Sequence, residues 1–447
     1  MKQELTAKLK LTATREQFAL LRQTQLAYRD GLNFVSAYSF AHGKTSNTLR
    51  LQKETYSELR GQFGLPSQMA CNVPRQVGGT YKGLWTKWRK NQEARARGYT
   101  KKRFKGLDKP PHYVSPTLIY NYGRDYSLRT GQEVSLLTLQ GRLHLPYQGY
   151  RKHLALLQQG ADIGAAKLWY DQTNKRFYLL VSLEVEVPDP TPASVGQVVG
   201  IDVGQRYLAT VTTSSNHSQF YSGKEIRAKT DHVARLQKRL RQKGTRSATR
   251  TRMRLSRRER RLKLNTNHTI SKQILDFHPQ AFVGLEDLAG IRERTKRRKK
   301  RRKGKKLVLV SPKERKANHH ASKWAFAELQ SFISYKATLV GSLVMKIDAD
   351  YTSQMCPCCG FTSPKNRPQK GLLFVCQNPL CHFTLHADLV GARNICLRTL
   401  LIRQDWMRTG QLSVAPDVSD REAKVARLSR YAELRWSLDT SSSPLRE

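Results

Sequence analysis

Three acidic residues lie at the boundaries of regular segments in the second half of the chain, and their placement limits the fold more than any other feature. Asp202 ends the apolar run QVVGID, and Glu286 ends AFVGLE; both runs are typical of buried strands. Asp388 opens the helical pattern DLVGARNI. Carboxylates at the ends of neighbouring elements can meet at one edge of a sheet. The sequence therefore predicts an α/β domain whose sheet edge carries all three acids.

These carboxylates suit a particular chemistry. Mg²⁺ prefers oxygen ligands, and a pair of such ions stabilises both the attacking and the leaving oxygen in phosphodiester hydrolysis. We expect Asp202 to bridge two ions, and Glu286 and Asp388 to complete their coordination. The alternative is that Glu286, or its neighbour Asp287, only caps the turn that follows.

The charge of the chain points to a polyanionic partner. Its 447 residues include 80 Lys and Arg against 34 Asp and Glu, for a net charge of +46. Such an excess repels itself unless a polyanion neutralises it, so nucleic acid is the expected partner. A basic ribosomal protein is the simpler alternative. The sequence shows no signal peptide, lipidation motif or long apolar span, which predicts a cytoplasmic protein that acts without a membrane.

The first 195 residues change their hydrophobic period twice. Residues 5–13 alternate as a strand, and Thr14 with Gln17 forms a capping box that predicts a helix start. Helical patterns continue to about residue 98, with expected interruptions near Gly64–Pro66 and at Pro74. Beyond the loop 101–111, alternating segments return and predict strands, including a hairpin that turns near Thr173–Lys175.

One aromatic stripe in the helical region has two interpretations. Tyr81, Trp85 and Trp88 share a helical face. They can stack on nucleobases, but this spacing is more typical of a core.

Three consecutive strand patterns follow the Pro-rich linker 188–196. After them come a basic helical region over about 226–278, the strand ending at Glu286, a helix near 314–337 and the strand GSLVMKIDAD. This order is typical of an RNase H-like α/β fold. The remaining residues, 406–447, are predicted to form a flexible C-terminal tail.

Cysteines are concentrated between residues 356 and 381. Cys356 and Cys359 form a pair with two residues between them, and Cys376 and Cys381 form a wider pair after a gap of sixteen residues. This arrangement predicts a zinc ribbon with one structural Zn²⁺, because four thiolates leave no open coordination position. Cys358 can replace Cys359 as a ligand. Cys71 and Cys396 are expected to be ordinary buried residues, and His382 and His386 to be solvated.

Two basic segments are candidate nucleic-acid contacts. Residues 292–306 contain twelve Lys or Arg, which predicts a disordered or nucleic-acid-bound loop; a nuclear-localisation patch is the alternative. Residues 235–263 contain fourteen Lys or Arg and one acid. Contacts to phosphates from such segments are salt-dependent and independent of sequence. The predicted contact residues are Arg239, Arg250, Arg254, Arg258, Arg261, Lys296, Arg297, Arg298, Lys299, Lys300, Arg301, Arg302 and Lys303.

Taken together, the motifs GIDVG, GLEDL, YTSQMCPCCG and DLVGARNI resemble those of the TnpB family, the RNA-guided nucleases of insertion sequences, which are related to type V CRISPR effectors. The resemblance is strong over about 197–397 and weaker over 1–195. It implies a RuvC-like nuclease with Asp202, Glu286 and Asp388 as catalytic acids, and a zinc ribbon that helps to load the target strand. Two departures from the family pattern are Val390–Gly391, where Asn and Ala are usual, and the wider second cysteine pair.

The predicted fold class is α/β plus α+β: an RNase H-like (RuvC) domain with an inserted four-cysteine zinc ribbon, preceded by a β-barrel wedge module that a helical recognition domain interrupts. The expected boundaries are 1–13 and 108–195 for the wedge, 14–107 for the recognition domain, 196–346 and 382–405 for the nuclease, 347–381 for the ribbon and 406–447 for the tail.

The predicted function is RNA-guided, Mg²⁺-dependent cutting of DNA beside a short flanking motif. Guide RNA and target DNA are the expected partners, with one or two copies of the chain on each guide and no other protein required. When bound to DNA, the protein is expected to associate with the prokaryotic nucleoid. The alternatives are a compact type V CRISPR effector, a nuclease-dead RNA-guided repressor and a transposase proper.

Overall fold

The computed structural model describes residues 1–115, 117–172, 174–288, 300–303, 306–312, 314–315, 326–368, 372–412 and 421–436. These residues form two compact units, one of residues 2–186 and one of residues 187–447 together with Met1. None of the helices formed by the described residues is long and apolar enough to cross a membrane.

The first unit combines a seven-stranded antiparallel sheet with a group of helices. Its helices are α1 (Arg15–Ala41), α2 (Thr48–Gly61), α3 (Ser67–Ala96) and α4 (Arg151–Gln158). Its strands are β1 (Lys2–Leu11), β2 (Leu118–Tyr120), β3 (Tyr126–Arg129), β4 (Glu133–Thr138), β5 (Gly141–Gln148), β6 (Asp162–Asp171) and β7 (Arg176–Glu186), in the sheet order β2-β6-β7-β1-β5-β4-β3.

This sheet curls into a nearly closed barrel. The outermost strands, β2 and β3, approach each other, since the rings of Tyr120 and Tyr126 have centroids 6.4 Å apart. The Tyr126 hydroxyl also donates a hydrogen bond of 2.6 Å to the carbonyl of Gly164 on β6. The predicted strand over residues 5–13 lies in the middle of the sheet, paired with both β5 and β7.

The helices α1 to α3 pack against the same core as the sheet. The predicted capping box begins α1: the Gln17 amide donates to the Thr14 hydroxyl, and the Thr14 amide donates to the Gln17 side chain. Tyr81 is fully buried, and Trp85 and Trp88 pack against the core, which confirms the core interpretation of the aromatic stripe. The expected interruption at Pro74 is wrong, since α3 continues through that residue.

The second unit is built around a five-stranded mixed sheet. Its strands are β8 (Gln197–Asp202), β9 (Tyr207–Thr213), β10 (Ser218–Ser222), β11 (Ala281–Glu286) and β14 (Leu343–Ile347), in the order β10-β9-β8-β11-β14. The first three are antiparallel to one another, and β11 runs parallel to both β8 and β14. The short strands are β12 (Lys300–Lys303) paired with β13 (Lys306–Leu309), and β15 (Leu373–Val375) paired with β16 (Thr384–His386).

Helices cover both faces of the mixed sheet. They are α5 (Lys224–Lys243), α6 (Arg246–Phe277), α7 (Phe326–Leu339), α8 (Ala387–Thr409) and α9 (Arg421–Glu433). Val199 and Ile201 of β8 pack into a core with residues of α6 and α7, whereas Val198 packs into a core with residues of α8. This alternation follows from the opposite directions of successive strand side chains.

Two regions differ from the sequence-based expectation. The predicted flexible tail over 406–447 is wrong for its described parts: Trp406 is buried near the end of α8, and Tyr431, Leu434 and Trp436 of the α9 region are buried in the same core. In the basic block 292–306, residues 300–303 pair with 306–309 as a hairpin and are not a loop. Residues 292–299 lie outside the described part of the chain.

Candidate active site

The parallel pairing of β8 and β11 brings Asp202 and Glu286 to one edge of the sheet. Ile201 pairs with Leu285, so the two acids follow a matched pair at the carboxyl ends of adjacent strands. Both side chains are half-buried. The sheet edge therefore places two carboxylates side by side, as the strand pattern predicts.

Helix α8 reaches the acids because two glycines allow it to lie directly on the sheet. Gly200 and Gly284 are register partners on β8 and β11. A Cβ atom on Gly200 would lie 2.3 Å from the carbonyl oxygen of Ala392, and one on Gly284 would lie 1.8 Å from the Thr399 hydroxyl oxygen. No side chain fits between the strands and the helix, and the first turn of α8 consequently lies beside the acids.

Asp388 lies in that first turn, and Gly391 follows one turn later. A Cβ atom on Gly391 would lie 3.0 Å from a carboxylate oxygen of Asp202, so the helix backbone passes close to this acid. Asp202, Glu286 and Asp388 thus come together from two strands and one helix.

A loop after β14 positions Glu286. The Thr352 hydroxyl donates a hydrogen bond to the Glu286 carboxylate. The buried Asn394 side chain of α8 donates to the carbonyls of Thr352, at 2.7 Å, and Met355, at 2.8 Å. One turn later, the buried Arg398 guanidinium donates to the carbonyls of Asp348 and Asp350. The same helix that carries Asp388 therefore fixes the loop that orients Glu286.

The three carboxylates disfavour one another's charge. Burial raises the pKa of Asp202 well above its ordinary value, and the neighbouring charges of Glu286 and Asp388 raise it further. A cation at this edge would relieve that repulsion, and carboxylate oxygens are the ligands that Mg²⁺ prefers. The donor set and its electrostatics therefore fit divalent cations of this type.

Arg367 contributes a positive charge to the site and was not among the residues predicted from the sequence. Its charge lowers the pKa of Asp202, which opposes the larger effect of burial. Its neighbour Asn366 is buried and donates to the carbonyls of Gln354 and Phe361, which holds this part of the ribbon in place. A single arginine between two cysteine pairs carries no sequence signal that distinguishes it from other surface arginines.

The four predicted zinc ligands converge in the ribbon. The sulfur atoms of Cys356, Cys359, Cys376 and Cys381 lie within 4.8 Å of one another. The Cys356–Cys381 sulfur distance is 3.8 Å, and the Cys359–Cys376 distance is 3.5 Å. Tetrahedral Zn²⁺ with bonds of about 2.3 Å requires sulfurs about 3.8 Å apart. The cluster therefore fits a structural zinc ion.

Other residues near the ribbon have different roles from those expected. Cys358 is exposed and lies outside the cluster, so Cys359 is the residue in the ligand position. His386 is not solvated: its Nδ1 accepts a hydrogen bond from the Asp388 amide, and its ring packs against Tyr207 and Phe220. Val390 is buried with Cys356, Phe374 and Cys376 in the ribbon core, so its side chain joins α8 to the ribbon.

The predicted nucleic-acid contacts fall into two groups. Arg239, Arg250, Arg254, Arg258 and Arg261 are all exposed on α5 and α6. Lys300, Arg301, Arg302 and Lys303 form β12, while Lys296, Arg297, Arg298 and Lys299 lie outside the described residues.

Two protein-family models match the chain, one from the end of β7 into the second unit and one within the second unit. Residues 181–293 match the family described as "Probable transposase", and residues 326–395 match the "Cas12f1-like, TNB domain". These spans include Asp202, Glu286, Asp388 and all four ribbon cysteines.

Curated proteins show the same relationship. The CRISPR-associated endodeoxyribonuclease Cas12f2 of Micrarchaeota archaeon (strain CG1_02_47_40) is 25% identical over 50% of this chain and 40% of its own length. The "Putative RNA-guided DNA endonuclease InsQ" of Escherichia coli K12 is 26% identical over 61% of this chain and 66% of its own length. The chain thus spans less than two thirds of either relative.

The fold of a solved structure matches nearly the whole chain. The structure described as the mini-RNA-guided endonuclease CRISPR-Cas_phi3 aligns with a TM-score of 0.52 over 92% of this chain and 93% of that one, at 11% identity. A TnpB-like protein of Methanocaldococcus jannaschii is 29% identical over 31% of this chain and 43% of its own length. These matches make the chain similar to TnpB-like proteins and to the CRISPR-associated Cas12f endonucleases.

Proposed function

We propose that this protein is an RNA-guided, Mg²⁺-dependent DNA endonuclease encoded by a transposable element, which cuts DNA matched to its guide beside a short flanking motif. The observation that carries this proposal is the convergence of Asp202, Glu286 and Asp388 from three separate elements at one sheet edge. The curated relatives named as DNA endonucleases support the same chemistry.

The proposed division of labour follows the predicted domains. The mixed sheet, with its antiparallel strands beside parallel ones, is the RNase H-like (RuvC) nuclease core over 196–346 and 382–405. Residues 347–381 are the zinc ribbon, which helps to load the target strand. The barrel over 1–13 and 108–195 is the wedge, and the helices over 14–107 are the recognition domain.

The proposed metal site consists of Asp202, Glu286 and Asp388. Two Mg²⁺ ions bound there would stabilise charge on the attacking and leaving oxygens of the phosphodiester. The surrounding residues preorganise the carboxylates, since Thr352 orients Glu286 through its hydroxyl and Asn394 holds the Thr352 carbonyl. Arg367 places a positive charge where a phosphate would approach.

Sequence specificity in this proposal comes from base pairing between guide and target. The protein recognises the shape of the heteroduplex and the flanking motif. The exposed arginines of α5 and α6 bind phosphates without reading bases, which makes complex formation strongly salt-dependent. In this proposal the nuclease unit needs few base-specific contacts, because base pairing with the guide supplies the specificity.

The test begins with protein expressed beside its native flanking DNA, so that its own RNA co-purifies. The RNA is sequenced, and the complex is incubated with Mg²⁺ and a plasmid library that carries the matching target beside randomised positions. We expect cleavage with one enriched flanking motif. The Asp202→Ala variant should retain RNA and target binding but lose cutting.

Asp276→Ala is the matched control. Asp276 lies on α6 with an exposed side chain and an ion pair to Lys272. Its loss should leave cleavage unchanged. Cutting by Asp202→Ala at the wild-type rate would contradict the acid assignment, and a preparation without any discrete RNA would contradict guided recognition.

A compact type V CRISPR effector is the second candidate, favoured by the relatives named as CRISPR-associated endodeoxyribonucleases. Both candidates share the same site chemistry. A repeat array beside the gene would support the effector, and a transposon end would support the transposon nuclease. Target binding without cutting would instead indicate a repressor, and joining of transposon ends would indicate a transposase.

A further inference from the structure

An aromatic cluster lies beside the three acids and is not explained by the metal site. It consists of Tyr207 at the start of β9, Phe220 on β10 and His386 before α8. The ring centroids are 4.9 Å apart for Tyr207 and Phe220, 5.4 Å for Tyr207 and His386, and 5.3 Å for Phe220 and His386. The three rings meet edge to face, and Phe220 remains 42% exposed.

Strand register places Phe220 on the same face of the sheet as Asp202. Asp202 pairs with Thr210 on β9, and Thr210 pairs with Phe220 on β10. Cross-strand partners project to the same side of a sheet, and adjacent strands lie about 4.8 Å apart. Phe220 is therefore about 10 Å from Asp202 along one row, with Thr210 between them.

The N-terminus of α8 joins the cluster to the acids. His386 contacts both aromatic rings, while its Nδ1 accepts a hydrogen bond from the amide of Asp388. Packing against His386 and Tyr207 supports the inner edge of Phe220 and leaves part of its ring open. A single exposed phenylalanine needs no explanation on a protein surface; its rigid support and its place in the row with a catalytic acid are what distinguish it.

We propose that the aromatic cluster is a stacking platform for a nucleobase of the target strand next to the phosphate that is cut. This inference rests on the proposed nuclease function. Stacking on an aromatic face accepts any base, which suits an enzyme whose specificity comes from a guide. By holding the adjacent base, Phe220 positions the strand and takes no part in the chemistry.

The first measurement reads stacking without cleavage. After the cut position is mapped with wild-type complex, 2-aminopurine is placed next to it in the target strand, and fluorescence is recorded in the Asp202→Ala background. We expect quenching in the complex. The added substitutions Phe220→Ala and Phe220→Leu should both restore fluorescence, whereas Phe220→Trp should retain the quenching. The leucine variant keeps apolar volume and removes only the ring.

The second measurement is the cleavage rate at saturating target with Asp202 intact. Loss of one base-stacking contact predicts a rate about tenfold lower for Phe220→Ala, with guide binding unchanged. Phe277→Ala is the matched control: Phe277 is 65% exposed and ends α6, and the chain then enters β11 at the end of that strand opposite to Glu286. That variant should cut at the wild-type rate.

The outcomes separate the two proposals. If wild-type complex cuts its target but 2-aminopurine fluorescence is the same with and without the Phe220 ring, the platform is refuted and the nuclease assignment stands. If Phe220→Leu behaves as wild type in both measurements, the residue serves packing alone. If wild-type complex binds no target, both proposals fail together.

Discussion

The zinc ribbon and the acidic edge of the sheet are both candidate metal sites, but the chain builds them in opposite ways. The ribbon takes its four cysteines from 26 consecutive positions, 356–381, and brings them together with short turns. The acidic site takes Asp202, Glu286 and Asp388 from elements that span 187 positions, and depends on the packing of α8 against two glycines. Local turns make the first site, and tertiary packing makes the second.

The two sites also differ in how their ligands affect the fold without metal. Burial raises the pKa of the Cys376 thiol to about 11, so in the absence of a cation this ligand remains a neutral, buried side chain. The acids instead remain close together with mutually unfavourable charge. The neutral Cys376 thiol adds no like charge to the ribbon, whereas at the sheet edge the fold holds carboxylates whose charges repel one another.

The largest effect should follow from loss of a predicted zinc ligand. Cys376→Ser removes one thiolate, and structural zinc binding supplies about 10–16 kcal/mol of apparent free energy to such sites. We expect loss of bound zinc and rapid proteolysis within residues 347–386. Because Ala387 and Val390 pack against the ribbon cysteines, cutting should fail as well.

Cys358→Ser is the matched control, since Cys358 is exposed and outside the cluster. It should retain one zinc per chain and the proteolytic pattern of the wild type. Zinc content by mass spectrometry of the intact protein distinguishes the two variants. Equal zinc loss in both would show that Cys358 is a ligand after all.

The next largest effect concerns the close packing that assembles the acidic site. In Gly200→Ala, the new methyl group would meet the Ala392 carbonyl oxygen at 2.3 Å and the Cys396 amide nitrogen at 2.4 Å. These are backbone atoms, so the helix itself must move. Overpacking of this kind costs about 1–3 kcal/mol or more, and we expect a lower Tm together with slower cleavage.

Gly196→Ala provides the comparison in the same unit. Gly196 precedes β8, and the methyl group of an alanine there would have none of the described atoms beyond its chain neighbours within 4 Å. Thermal unfolding should show little change for this variant. A Gly200→Ala protein with wild-type Tm and cleavage rate would mean that α8 does not need close contact with β8 to deliver Asp388.

A smaller effect is expected from the loop that orients Glu286. Thr352→Val removes the hydroxyl that donates to the carboxylate. A hydrogen bond to a charged group contributes about 1.5–3 kcal/mol, so single-turnover cleavage should slow about tenfold to a hundredfold, with target affinity preserved. Thr352→Ser keeps the hydroxyl and should cut at nearly the wild-type rate; if both variants cut equally well, the hydrogen bond does not orient Glu286 during catalysis.

The contrast between local and tertiary construction also explains how much could be predicted from the sequence. The cysteine pairs are a local signal, and the acids follow recognisable strand patterns, so all seven residues could be proposed from the sequence alone. Thr352 and Asn394 lie within the motifs YTSQMCPCCG and DLVGARNI, but their roles, like that of Arg367, could not be proposed, because each acts through a contact with a distant segment.

The errors have the same origin. The mixed charge of residues 406–447 suggested a tail, but Tyr431 and Trp436 find buried positions against α8 and its surroundings. Arg427 also forms a 3.0 Å ion pair with the buried Asp348. His386 was expected to be solvated because polarity was its only local signal, yet strand β10 places Phe220 against its ring.

The smallest expected effect is a gain in stability, whereas the other substitutions are expected to cause losses. The folded-state pKa of Asp202 is raised, so the folded protein binds this proton more tightly than the unfolded chain does. The charged carboxylate therefore destabilises the fold once the pH rises above the pKa that Asp202 has in the unfolded chain. The destabilisation is complete above the pKa of the folded state, and it disappears below the pKa of the unfolded chain.

In buffer without Mg²⁺, Asp202→Asn should raise Tm by a few degrees at neutral pH, and this gain should shrink as the pH falls toward the ordinary range of an aspartate. Added Mg²⁺ should stabilise the wild type more than the variant. An Asn variant that is less stable than the wild type in Mg²⁺-free buffer would show that the carboxylates do not strain the metal-free fold.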